Sequence, residues 1–248
     1  MSLTTPKASR LPLFLRKILA APASFLYEGR RRRLANRYLE GNGLEIGALH
    51  RPLRTPEAAH VRYVDRMDTP SLRREYPELA SQPLVDVDVI DDGETLASQP
   101  DGSADFIIAN HFIEHTQDPI GTLENHLRVL RAGGIMYLAV PDRRRTFDVD
   151  RPPTPIEHVV EDRRDGPAAS KARHQEEWAR FVEQVPEDRV ATRVRELEET
   201  DYSIHFHVWT PEEFTALLEH ARREEGLPFE IEQLVPNRHE FIVILRRV

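Results

Sequence analysis

No cysteine occurs among the 248 residues, which removes disulfides, thiolate metal ligands and cysteine nucleophiles together and agrees with a reducing, cytoplasmic setting. Long apolar runs are missing too: the segments 135–140 and 241–245 fall far short of the ~20 apolar residues a membrane span needs. Basic residues are scarce outside one end. Positions 1–40 hold nine Lys and Arg against Glu28 and Glu40, whereas the other 208 positions hold 25 against 40 acids. A body this acidic does not wrap nucleic acid, because phosphate neutralisation supplies most of that affinity, and no nucleic-acid partner is expected.

The basic segment 1–40 reads as an N-terminal helical extension. Leu11, Phe14, Leu15, Ile18 and Leu19 share one helical face, and Arg16 with Lys17 cuts the apolar stretch too short for a secretory signal. Two readings of this helix stay open: packing across an edge of the body, or peripheral contact with an anionic membrane surface. The run Arg30–Arg33 reads as a solvated face.

A regular alternation begins near residue 43. Buried strands are predicted at 43–48 (GLEIGA), 61–65 (VRYVD), 84–90 (LVDVDVI), 104–110 (ADFIIAN) and 135–140 (IMYLAV), at the spacing that strand–helix–strand crossovers need. One crossover helix is written out, with Asp118 as cap, Pro119 first, Ile120, Leu123, Leu127 and Leu130 on one face, and Gly133–Gly134 just past its end. The pattern predicts an α/β, doubly wound parallel sheet with a cofactor-binding core over 41–142. Residues 143–205 break the rhythm with five prolines and many charges, and are expected to form a lid-like acceptor subdomain. Its clearest helix, near 170–184, would turn His174, Trp178, Phe181 and Val182 inward. Residues 206–248 return to the core. Thr210-Pro211-Glu212-Glu213 is a capping box, and two strands at 229–235 and 240–248 follow, antiparallel because only a short Pro-Asn turn joins them.

In doubly wound sheets ligands sit at the carboxyl ends of the strands. Those ends carry Glu45-Ile46-Gly47-Ala48-Leu49-His50, then Asp65-Arg66, then Asp91-Asp92-Gly93, then Asn110-His111. A carboxylate at Asp65, placed to hold a ribose diol, and a glycine turn before it suit a nucleoside.

The order of elements across 104–142 (Asp-Phe, Glu-His, Asp-Pro, Arg-Val-Leu-Arg-Ala-Gly-Gly, Val-Pro-Asp) resembles the class I S-adenosylmethionine-dependent methyltransferases, and within them the type 11 methyltransferase-domain family. The resemblance extends over 40–142 and, more loosely, 205–248. It implies a seven-stranded Rossmann-like sheet with an antiparallel last strand, S-adenosyl-L-methionine as cofactor, and methyl transfer. It places Glu45 and Gly47 at the methionine end of the cofactor, Asp65 with Arg66 at the ribose, Asp92 and Gly93 at the adenine, and Asn110 on the floor. The family pattern has glycine where this chain has Leu49 and Arg51, so the first loop is either reshaped or weaker in cofactor binding.

His111 follows the fourth strand and is the expected general base for a hydroxyl acceptor, a small molecule or a saccharide precursor. Its plainer reading is a cap for the next helix. His111, Glu114 and His115 also fall at helical spacing, which would allow a divalent metal set and a metal-dependent hydroxyl methyltransferase. A catalytically silent binding module with this fold is the other alternative; a nicotinamide dehydrogenase is disfavoured by the lack of a Gly-x-Gly-x-x-Gly turn. His158, His174, His205 and His207 in or beside the insertion read as carboxylate-satisfied histidines, acceptor-pocket residues or further metal ligands, and the arginines between 143 and 164 as a charge-balanced surface.

Overall fold

A computed structural model describes residues 25–166, 168–200 and 202–248. The predicted helix around Leu11–Leu19 lies outside the described residues. Helix α1 (Phe25–Tyr38) leads into β1 (Gly41–Ile46), β2 (Ala59–Asp65), α2 (Thr69–Glu75), β3 (Val89–Ile90), β4 (Ala104–Asn110), α3 (Pro119–Val129) and β5 (Leu130–Pro141). The insertion supplies α4 (Ile156–Asp165), α5 (Ala168–Glu177) and α6 (Glu187–Glu199); α7 (Pro211–Arg223), β6 (Phe229–Asn237) and β7 (Glu240–Arg247) complete the core.

The seven strands form one sheet in the order β3-β2-β1-β4-β5-β7-β6, with β1 to β5 parallel and β7 antiparallel to both its neighbours. Alternation along β4 shows why both faces are covered. Ile107 and Ala109 join the layer under α3 and α7, while Phe106 and Ile108 face Leu34, Ala35 and Leu39 of α1 or just past it. Gly43 sets the spacing of β1 to β4, since an added Cβ would stand 2.3 Å from the fully buried Phe106 ring. Gly43→Ala is therefore expected to lower stability by about 1–3 kcal/mol through overpacking, read as a drop in denaturation midpoint at unchanged m-value.

Several boundaries differ from the sequence reading, each for a physical reason. The third strand shrinks from 84–90 to two residues because the Asp88 carboxylate, not a backbone carbonyl, accepts the Tyr63 N–H at 2.8 Å. Helix α3 has its Asp118 cap bonded to the Gly121 N–H, but it stops at Val129 and Gly133 opens an irregularity in the next strand instead of ending the helix. The last hairpin turns at Arg238–His239, with Arg238 at φ 62°, so Pro236 and Asn237 belong to β6. Phe181, expected inside, is 39% exposed. A π-turn over Trp178–Val182 widens the helix there and rotates Phe181 off the apolar face. The Thr210 capping box forms as read.

The arginine run is not wholly solvated. Arg31 is 6% exposed and makes a two-point ion pair with Glu240, at 2.8 and 2.5 Å. Arg151, expected on the surface, is fully buried between Asp148 and the carbonyls of His205 and Phe206. Both reach carboxylates or carbonyls that tertiary folding brings in from far along the chain.

Candidate functional site

Strand register assembles the site. Ile46 pairs with Val64 on one side and Ala109 on the other, so Gly47, Asp65 and Asn110 leave the sheet side by side, and Asp65 pairs with Ile90, which brings Asp91 and Asp92 to the same edge. Strands β2 and β4 run from opposite sides of β1, making this the point where the winding direction switches.

The first loop is shaped from beneath. Glu45 is 1% exposed and both its oxygens accept the Leu53 N–H, at 2.8 and 3.1 Å. Burial pushes its carboxyl up to about 7, against the opposing effects of Leu53, Arg31 and Asn110. Glu45 thus ties loop 47–53 down. Gly47 takes φ 63° and Leu49 φ 49°, so the backbone keeps a left-handed turn at the position where the resembled family has glycine, with a branched side chain bearing the strain. His50 lies in this loop with its Nδ1 buried and unbonded, and burial lowers its pKa; Arg51 is exposed.

Asp65 accepts the Arg66 N–H at 2.8 Å, and burial raises its pKa. The Arg66 guanidinium turns away to Glu75 and Tyr76. Asp92 is exposed, and its Oδ1 accepts the Glu94 and Thr95 N–H groups, at 2.8 and 3.1 Å; Asp91 is held by Ser98. Gly93 leaves room for Phe112 and Ile46, whose carbons would stand 2.7 Å from an added Cβ, and its carbonyl lies 2.8 Å from His126 Nε2. Asn110 lies near Glu45, yet both polar atoms of its amide are buried without a well-formed hydrogen bond.

His111 takes φ 52°, a strained backbone for a residue of this type, and its N–H is anchored on the Ala139 carbonyl. It does not cap a helix. Its Nε2 lies 2.8 Å from Glu240 Oε2 and its Nδ1 3.5 Å from Glu114 Oε1, with a third of the side chain exposed. Burial by itself would raise the Glu240 carboxyl, but hydrogen bonds and charge from Arg31 and His111 hold it far below the ordinary range. Sequence reasoning missed Glu240 and Arg31; an acid opening the apolar run 241–245 was the one visible mark of the former.

Residues His111, Glu114 and His115 do not converge as a metal set. Only a single 3₁₀ turn, Ile113–His115, forms there, so helical spacing does not apply. His111 groups with Glu240 and His239, whereas Glu114 and His115 group with His205. The His115 ring is fixed by the Ile204 carbonyl at 2.9 Å, and burial drives its pKa to about 3. Glu114 is 1% exposed, both its oxygens lack hydrogen bonds, and burial raises its pKa. Of the insertion histidines, His205 reaches this region, 4.0 Å from Glu114 and 2.8 Å from Asp148. His174 and His207 face away from it, toward His158 and Asp162.

A methyltransferase-domain family model matches residues 26–221. No curated protein matches the chain. Among solved structures, an S-adenosylmethionine-dependent methyltransferase from Aquifex aeolicus is 14% identical at TM-score 0.52, covering 94% of this chain and 96% of its own. Another from Methanosarcina mazei is 15% identical at TM-score 0.45, covering 86% and 95%. With the sheet order, the row of polar strand ends and a family match over most of its length, the chain belongs to the class I S-adenosylmethionine-dependent methyltransferases.

Proposed function

We propose that the protein transfers a methyl group from S-adenosylmethionine to a hydroxyl of a small molecule or a saccharide precursor, with His111 as general base. The observation that carries this reading is the His111–Glu240 pair at the switch point: a strained, partly exposed imidazole with one nitrogen held by a buried carboxylate.

The residues present fit the cofactor. The buried amide of Asn110 has no well-formed hydrogen bond, Asp65 is held in the protein by the Arg66 N–H, and the left-handed turn at Gly47 and Leu49 exposes backbone to a ligand. Asp65 would hold the ribose, Asp92 and the Gly93 backbone the adenine, and Gly47 and Asn110 the methionine end, with Glu45 acting through the loop it ties down. When bound, S-adenosylmethionine supplies an electrophilic methyl on a sulfonium. Glu240 accepts from His111 Nε2, which leaves Nδ1 as the basic nitrogen, and its 3.5 Å approach to Glu114 is long enough for an acceptor hydroxyl to displace. His111 takes the hydroxyl proton as the oxygen attacks in line, and Glu240 compensates the charge the ring gains. Arg145, Arg238 and His239 line a shallow depression beside this site, with the His111 and His239 ring centroids 6.1 Å apart, which favours an acceptor carrying an anionic group.

Asp65→Ala is expected to weaken binding of S-adenosylhomocysteine by about 1.5–3 kcal/mol, measured by calorimetry. No heat for the unsubstituted chain at millimolar ligand would remove the cofactor assignment. Binding without methyl transfer to any hydroxyl acceptor would favour the silent module instead.

A further inference from the structure

Four side chains that the methyl-transfer reading leaves unused converge away from His111. His158 and Asp162 stand one turn apart on α4, His174 comes from α5, and His207 comes from the extended segment before α7. Asp162 Oδ2 lies 3.2 Å from His158 Nε2, 3.2 Å from His207 Nε2 and 3.7 Å from His174 Nε2, and the His158 and His174 Nε2 atoms are 2.9 Å apart. All four residues are under 9% exposed.

We propose that His158, Asp162, His174 and His207 form a closed, structural site for one divalent transition metal, zinc in the first instance. A tetrahedral zinc with ligands at about 2.0–2.1 Å separates its ligand atoms by roughly 3.3 Å, within the 2.9–3.7 Å range of the four separations just given. Three imidazole nitrogens and one carboxylate oxygen are a donor set that zinc accepts, and burial of all four leaves no open position for substrate, which sets the site apart from a catalytic one.

Hydrogen-bond accounting supports a cation. His207 Nδ1 lies 3.0 Å from the Thr116 carbonyl, which only accepts, so that nitrogen carries a proton. A neutral His207 then turns the Nε2 lone pair at the Asp162 carboxylate, and two acceptors face each other at 3.2 Å unless a cation joins them or the ring carries both protons. The same Nδ1-to-carbonyl bond is the outer contact that fixes a zinc-ligating tautomer, and the ring is held further by stacking on Trp209 at 5.5 Å and 10°. Ser170 bonds the Asp162 carboxylate from outside. Arg173 donates to His158 Nδ1, which in the metal-free chain puts the His158 proton on Nε2. Loading exchanges this for the Nδ1–H tautomer, and Arg173, an exposed side chain, is able to turn outward.

Such an ion would staple α4 and α5 to the strand-like segment beside Glu114, whose carbonyl accepts the His207 N–H. It would fix the insertion over the core.

Chelator-stripped full-length chain titrated with cobalt(II) is expected to take up one ion with the intense visible bands of tetrahedral nitrogen–oxygen coordination, and zinc is expected to displace it with a rise in thermal midpoint. Asp162→Asn and His174→Ala should each abolish the bands, with far-ultraviolet circular dichroism showing which variant keeps its fold, while Glu114→Gln, in the neighbouring cluster, should keep them. A stripped chain that takes up neither ion overturns the site and leaves a buried histidine–carboxylate cluster. Bands lost in Glu114→Gln but kept in His174→Ala or Asp162→Asn would assign the metal to the other cluster and equally overturn it.

Discussion

Arg31→Ala is expected to lower unfolding free energy by about 3–5 kcal/mol, the cost of leaving one member of a buried ion pair without its partner. Glu240 is 1% exposed and depends on two bonds from Arg31, one from Asn237 at 2.7 Å and the contact with His111. In a chain of this length the loss corresponds to roughly 6–20 °C in Tm. Arg32, exposed on the next position of the same helix, is the control: Arg32→Ala should stay within about 0.5 kcal/mol. The pH dependence follows from the sign of the Glu240 shift. Its folded pKa is depressed, so the stabilisation is complete above the unfolded carboxylate value of 4.5 and is lost as pH falls toward the folded one. The gap between the parent chain and Arg31→Ala should therefore be full at neutral pH and narrow from about pH 5 downward. A gap unchanged at pH 3, or a variant as stable as the parent, would show that the pair does not carry this stability.

His111→Ala is expected to reduce methyl transfer by about 10²–10⁴, with S-adenosylhomocysteine affinity within a few-fold of the parent. The split between turnover and binding is the informative part. A cap or a floor residue would alter cofactor affinity as well, whereas a base meets only the acceptor. Had His111, Glu114 and His115 acted as one metal set, Glu114→Gln and His115→Ala would fall as far as His111→Ala. Separate placement of His115, against the Ile204 carbonyl, predicts that its loss does less to turnover. Equal turnover in parent and His111→Ala would leave acceptor positioning as the whole mechanism.

What the sequence determined by itself is what local chemistry controls. Alternating apolar runs and a proline-led, capped helix at Asp118 give the parallel sheet and its crossover, and the Thr210 box with the close-spaced final strands gives the antiparallel ending. The polar residues at strand ends were legible for the same reason: once strands are parallel, their last residues share an edge, so Gly47, Asp65 and Asn110 meet whatever else happens.

Tertiary structure decided everything that depends on which residue faces which across long separations. Arg31 and Glu240 are 209 positions apart, and neither position carries a periodic signal that names its partner. The same limit divided the histidines. Spacing along the chain suggested His111 with Glu114 and His115, yet a left-handed backbone at His111 and a single 3₁₀ turn after it leave His111 beside Glu114 but pair it with Glu240, while His115 turns to the Ile204 carbonyl and His205. Meanwhile His158, Asp162, His174 and His207 are brought together by the packing of α4 and α5 against the segment before α7. Periodicity reports which face of an element is buried; only packing reports what that face meets.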